Sequence, residues 1–331
     1  MSLLLLWVFL FLYFILTSID CGAGFYHFIS RLRNEEKWTE PVLSRYVSPV
    51  WEVTNVFLVF FFVGLVTFFP ETAYYYGTLL LLPVSVSLLL LIIRGTYYAI
   101  NHYVNKENRI YLFLYSISGL FIPASFVVIF PLSEGLFYAE ENNQWILHYT
   151  QLMTHPYTWS LIVLSVVSVL YISASFFTFY SHRAGQVSLT KRMKKRTLYT
   201  AGLVLLFSSV CLYLMNEHSP VLFERVMTNS LLFSLALIAA LWSIYHLQFQ
   251  QFGRACCFML IQYAFIFIGY GKAHFPYLLY PHVTAYNGFT TSVMSQALWI
   301  SLSIGLIVLV PSLFLVFRFF IYDKEYVKGK R

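Results

Sequence analysis

Nine apolar runs follow one another along this chain of 331 residues, and that succession leaves few physical solutions. They lie at about Leu3 to Ile19 and on towards Ile29, Pro49 to Phe69, Tyr76 to Tyr98, Ile110 to Phe130, Trp159 to Tyr180, Leu198 to Met215, Met227 to Leu247, Ala255 to Tyr270, and Met294 to Phe320. A run of about 20 residues matches the hydrocarbon thickness of a bilayer at 1.5 Å per helical residue, and nine are too many for a soluble core. Charged residues make up only 11% of the chain, against about 25% in a soluble domain. In lipid each backbone group has to be satisfied inside its own helix. The expected fold is therefore an all-α polytopic membrane protein with about nine transmembrane helices.

Charge fixes an expected orientation. With alternate connections on opposite sides, all but Arg94, Arg225 and Lys272 of the 21 Lys and Arg residues fall on one side. The positive-inside rule makes that side cytoplasmic, with the N-terminus outside and the C-terminus inside. The first run, MSLLLLWVFLFLYFILTSI, has no base ahead of it and reads as a retained helix rather than a secretory signal. The basic balance is thus a topology signal, and nucleic acid is not an expected partner. The cluster TKRMKKR, Thr190 to Arg196, reads as a cytoplasmic anchor, with anionic lipid as the alternative. Ser133 to Pro156 reads as a solvated external loop.

The cysteines, at 21, 211, 256 and 257, have no zinc or haem-attachment spacing and read as small buried residues. No nucleophile motif, phosphate loop or metal triad is present in the sequence. All nine histidines lie at span ends or in loops, so two spans of this chain are not expected to hold a haem between them. Pro83, Pro123 and Pro311 read as kinks, the broken helices of a transporter being the alternative. The long connection RLRNEEKWTEPVLSRYV and the basic cluster divide the spans into four, four and one. The expected units are a first four-helix bundle over 1–131, an external loop and second four-helix bundle over 132–275, and a loop, peripheral ninth helix and tail over 276–331.

Three charges inside the spans carry the functional reading. Asp20 lies 17 residues past Leu3, roughly 26 Å along the first helix. Glu52 stands about one turn into the second span, in SPVWEVTNVFLVFFFVGLVTFFP, and Arg94 near the end of the third. On the expected topology all three share a depth on the cytoplasmic side. A charge near the centre of a span costs roughly 2.5–3.5 kcal/mol, so each needs a partner or a use. One reading has Arg94 neutralise one carboxylate while the other titrates as part of a proton inlet. The other is an ion-paired clamp joining three helices. Thr54 and Asn55 would continue a polar path, or simply hydrogen-bond a neighbouring helix. Gly22 and Gly24, with Trp51, read as helix-packing positions.

These residues resemble a family. DCGAGF, Asp20 to Phe25, resembles the D-x-G-x-G signature on the first helix of subunit II of cytochrome bd-type quinol oxidases. PVWEVTNVFLV, Pro49 to Val59, is similar to its P-V-W-D-G-N-E-x-W-L-V, and IIRGTYYA, Ile92 to Ala99, to its Arg-Gly motif. HPYTW, His155 to Trp159, and FPYLLYP, Phe275 to Pro281, are similar to its Pro-Tyr segments. The resemblance implies a haem-free partner of subunit I, which carries haems of b and d type, or b alone, and oxidises quinol. It implies a pseudo-twofold heterodimer in a bacterial cytoplasmic membrane, set among lipids and leaving room for a small accessory subunit. It also makes Asp20 and Glu52 candidates for a cytoplasmic proton route and gives Arg94 an electrostatic role. The departures are Glu52 for the motif's Asp, Val53 and Thr54 for its Gly-Asn, Asn55 for its second acid and Phe57 for its Trp. They point to a divergent branch. The rival functions are a secondary transporter that couples through the same charges, and a pure assembly scaffold.

Overall fold

Proline begins several helices in this chain, where its missing N–H is no loss, and apolar runs carry them on. The structure, a computed structural model, describes residues 1–33, 54–103, 109–141, 144–316 and 318–319. Its first half holds α1 (Ser2–Leu32), α2 (Thr54–Phe68), α3 (Pro70–Leu79), α4 (Leu81–Tyr103), α5 (Arg109–Phe126) and the short α6 (Ile129–Ser133). A hairpin of β1 (Tyr138–Glu141) and β2 (Gln144–Leu147) and the short α7 (Tyr149–Thr154) lead to the second half. There follow α8 (Pro156–Arg183), α9 (Val187–His218), α10 (Pro220–Thr228), α11 (Ser230–Gln248) and α12 (Phe252–His274). A second hairpin, β3 (Tyr277–Leu279) with β4 (Val283–Thr284), precedes α13 (Ser292–Val316). Both hairpins are antiparallel.

Each of the nine apolar runs is largely helical where it is described, with short breaks at Phe69, Leu80, Val127–Val128 and Asn229. Seven helices among the described residues are long and apolar enough to cross a membrane, or eight if α2 and α3, bent by 117° at the break before Pro70, form one span. The apolar part of α4, Leu81–Tyr97, is shorter. The expected nine is therefore not reached by this measure, because among the described residues the second run supplies only the helix Thr54–Phe68 and the apolar part of α4 is the shorter Leu81–Tyr97.

The helices associate in two groups. In one, α1 packs on α5 and α5 on α4, while Phe57, Leu58 and Leu65 of α2 share a core with Leu6, Phe9 and Tyr13 of α1. In the other, α8 pairs with α9 and α11 with α12, and α12 packs on α8. The first helix belongs to both. Its Ile15, Ile19, Ala23 and Tyr26 enter the core of α8, α9 and α12, and its Tyr26 hydroxyl donates to Leu170 O at 2.8 Å. Near its start the Trp7 indole donates to Phe267 O of α12 at 2.8 Å. The last helix, α13, is the least buried of the spans and touches the core through Leu302, whereas α8 is the most buried.

Hydroxyl side chains explain how α8 is both polar and buried. Ser173 and Thr178 donate to the carbonyls four residues back, at 2.6 and 2.7 Å, so they add no unsatisfied donor and their small size lets helices approach. Thr178 meets Thr197 and Ser181 meets Thr190 across the α8–α9 seam at 3.1 and 3.0 Å. Gly185, with φ +76, makes the tight turn between these two helices. Three cysteines are buried and Cys257 is exposed. The expected solvated loop from Ser133 to Pro156 differs most from what is observed. It is a folded cap whose Leu147 and Leu152 share a core with Leu79, Leu132, Leu279 and Val283, and its Glu134 is buried.

Candidate functional site

The small residues of DCGAG on α1 let three helices close around one guanidinium. A Cβ on Gly24 would lie 2.6 Å from the Tyr115 ring, and one on Gly119 of α5 2.6 Å from Arg94 Nη1. Between these two glycines runs the Arg94 side chain, 1% exposed, from α4 to Asp20, which is 3% exposed. Arg94 Nη2 and Nε donate to Asp20 Oδ2 at 2.8 and 3.1 Å. Nη2 also lies 2.8 Å from Asp20 O and 2.9 Å from the Tyr115 hydroxyl, and Nη1 donates to Tyr115 O at 3.1 Å. The guanidinium carbon stands 4.0 Å over the Tyr115 ring, and the Tyr115 hydroxyl donates to Asp20 Oδ1 at 3.4 Å.

This surrounding decides whether the pair is tolerable. Taking two charges out of water costs several kcal/mol per ion, and the attraction offsets that only when the remaining donors and acceptors are also met. Here the carboxylate, two main-chain carbonyls, a phenol and an aromatic face together meet the cation. Ser116 Oγ adds a 2.7 Å bond to Gly24 O that ties α5 to α1 beside it.

Next to the pair is a small cavity of about 10 Å³ between α1, α2, α4 and α5, lined by Tyr13, Thr17, Asp20, Thr54, Asn55 and Arg94 among others. Its size suits about one water. Tyr13 Oη and Thr17 Oγ1 are buried with no hydrogen-bond partner among the described residues. Thr17 and Tyr13 precede Asp20 by three and seven residues, so the three share one face of α1.

The sequence-based candidates thus fall into three sets. Asp20 and Arg94 meet, and Thr54 and Asn55 line the same cavity. Gly24 faces Tyr115, while a Cβ on Gly22 would run into Ser173 of α8. Glu52 and Trp51 lie outside the described residues. Sequence reasoning missed Tyr115 and Gly119, for which no spacing gave a signal. It also missed Thr17 and Tyr13, which the helical period counted back from Asp20 would have found. Among the described residues, no three of His, Cys, Asp and Glu converge as metal ligands.

Known proteins are similar to this chain along nearly its whole length. Residues 1–320 match the family described as cytochrome bd terminal oxidase subunit II. A relative in Bacillus subtilis (strain 168), the putative cytochrome bd menaquinol oxidase subunit II, is 30% identical over 333 residues, covering 98% of this chain and 96% of that protein. The solved structure of bd oxidase from Geobacillus thermodenitrificans contains a chain that is 42% identical, with a TM-score of 0.83 over 97% of this chain and 98% of that one. With its multi-pass helical fold, this chain belongs to the cytochrome bd terminal oxidase subunit II family.

Proposed function

We propose that this subunit is a haem-free scaffold for the haem-bearing subunit I of a quinol:oxygen oxidoreductase, not catalytic alone, and that it offers a proton inlet at Asp20. The observation that carries the inlet is a buried acid, Asp20, opening on a cavity for about one water shared with Thr54 and Asn55 of the next helix. Glu52, two residues before Thr54, would be the acid on the approach to it. Arg94 pairs with the Asp20 carboxyl and holds it in place. The positive-inside asymmetry supports a cytoplasmic opening, with the N-terminus outside and the C-terminus inside. Tyr13 and Thr17 would continue the path along α1 toward the membrane interior.

The histidines His182, His218, His246 and His274 stand in the last turns of their helices, which supports placing the b- and d-type, or b-type, haems in the partner. The name of the Bacillus subtilis relative specifies menaquinol, and we carry menaquinol over as the reductant. The long apolar faces left on α4, α5 and α13 supply surface for subunit I in a pseudo-twofold heterodimer, for lipid, and for a small accessory subunit.

The test is the double variant Asp20→Ala with Glu52→Ala in the purified complex. Slower oxygen reduction with the haem spectrum of the partner unchanged is the expected result. Unchanged turnover would leave only the bracing role. That second reading has its own support, since the guanidinium of Arg94 is fully engaged by α1 and α5. The transporter alternative has no support in the family to which the chain belongs.

A further inference from the structure

A second buried acid, Glu134, sits at the other end of the bundle and takes no part in the site above. It caps α6 at 7% exposure. Its Oε1 accepts from the Tyr157 hydroxyl of α8 at 3.0 Å and from the Tyr270 hydroxyl of α12 at 3.4 Å. Its Oε2 is buried and accepts no hydrogen bond. The other groups facing it are the Ser219 hydroxyl, between α9 and α10, and the Cys211 thiol of α9. No cation pairs with it among the described residues. The Tyr270 ring stacks on Trp7 of α1, and Asp20 lies thirteen residues further along that helix, about 20 Å away.

The residues on either side of Glu134 hold the second hairpin. Ser133 O accepts from Tyr280 N at 2.9 Å. Gly135, with φ +89, lets the backbone pass so close to Tyr280 O that a Cβ there would be 2.7 Å away. The Tyr138 hydroxyl closes the same carbonyl at 2.7 Å, and Arg225 of α10 lies over the rings of Tyr277 and Tyr280 at 5.0 and 5.9 Å. A carboxylate with one dry, unpartnered oxygen calls for water. Because the backbone on both sides of Glu134 is held against Tyr280, a backbone shift that hydrates Oε2 would also disturb the hairpin.

We infer that Glu134 is a proton-binding site at the end of the bundle opposite Asp20, and that loss of its proton loosens the β3–β4 hairpin from α6. Burial raises its carboxyl to about 7, which places the exchange near neutral pH. The neutral acid keeps the hairpin seated. Opening lets the carboxyl hydrate and return to an ordinary value, so opening becomes easier as pH climbs toward about 7 and levels off above it. This site stands independently of the proton inlet and of the orientation in the membrane.

Hydrogen–deuterium exchange on the purified two-subunit complex tests it, read as protection factors of peptides spanning 276–288 between pH 5 and 8. Protection in the unaltered protein is expected to fall by up to roughly 100-fold between pH 5 and 7 and then stay level. In Glu134→Gln it should be independent of pH. In Tyr157→Phe, which keeps the acid and removes its nearer donor, the fall should extend to higher pH. A flat profile in the unaltered protein, or an undiminished slope in Glu134→Gln, overturns the proposal. If the Gln variant fails to assemble, the Tyr157→Phe profile decides, and an end point unmoved from that of the unaltered protein overturns it.

Discussion

Replacing Asp20 by Asn keeps the shape of the side chain and removes its charge, which makes it the sharpest perturbation of the buried pair. Arg94 would then remain buried at the centre of α1, α4 and α5 with only neutral acceptors: Asp20 O, Tyr115 O, the Tyr115 hydroxyl and the amide. Breaking a buried pair from one side destabilises by about 3–5 kcal/mol. The carbonyls and phenol that stay in place argue for the lower end. Removing both charges, as in Asp20→Asn with Arg94→Met, should recover more than half of the loss, because no uncompensated ion is left. The assay is thermal unfolding of the purified complex, followed by haem absorbance of the partner, for both single variants and the double. A coupling of about 2–3 kcal/mol is expected for groups in direct contact. Additive losses, or an Asp20→Asn complex as stable as the original, would refute the reasoning. Oxygen consumption by the double variant then separates the two readings of the pair. If Asp20 conducts protons, turnover stays low although stability returns; a brace alone gives back both.

Three further outcomes follow from the geometry. Gly22→Ala should destabilise by roughly 1–3 kcal/mol through overpacking, because its methyl meets Ser173 of α8. Ser173→Ala in the same chain should restore part of that, measured again by thermal unfolding. Thr17→Val and Tyr13→Phe each remove a hydroxyl from the cavity beside Asp20. Both should slow oxygen reduction with haem content unchanged if the path runs along α1, as stopped-flow turnover would show. Glu134 binds its proton more tightly folded, at about 7, than at its ordinary value of 4.5. Its contribution is therefore complete below about 4.5, is lost as pH rises to about 7 and is constant above. The span corresponds to roughly 3 kcal/mol, and Glu134→Gln should abolish that part of the pH dependence of thermal stability.

The helices were legible because a span announces itself by length and apolarity, and Pro70, Pro156 and Pro220 mark where helices begin. Asp20 and Arg94 were legible for a related reason: a charge in lipid stands out against Leu, Ile and Phe. The groups that complete their site were not. Tyr115 is one of 26 tyrosines, and only the crossing of α5 over α1 gives it a role. Gly119 matters because Arg94 passes over it, a relation between residues 25 apart with no shared periodicity. Glu134 was read as a loop acid in water, since its neighbours Tyr157, Ser219 and Tyr270 come from distant parts of the chain. Depth along a single helix can be counted from sequence. Burial by three others has to be seen.

The central place of α1 bears on how such a chain is made. A ribosome delivers Asp20 to the membrane 74 residues before Arg94, and the surfaces of α8 and α12 that enclose the rest of α1 arrive later still. Until α4 inserts, the first helix carries an acid whose base has not arrived, and an unpaired acid inside a span is costly. Arg94, passing between Gly24 and Gly119, supplies that base. The final seating of the first helix is thereby tied to the arrival of α4.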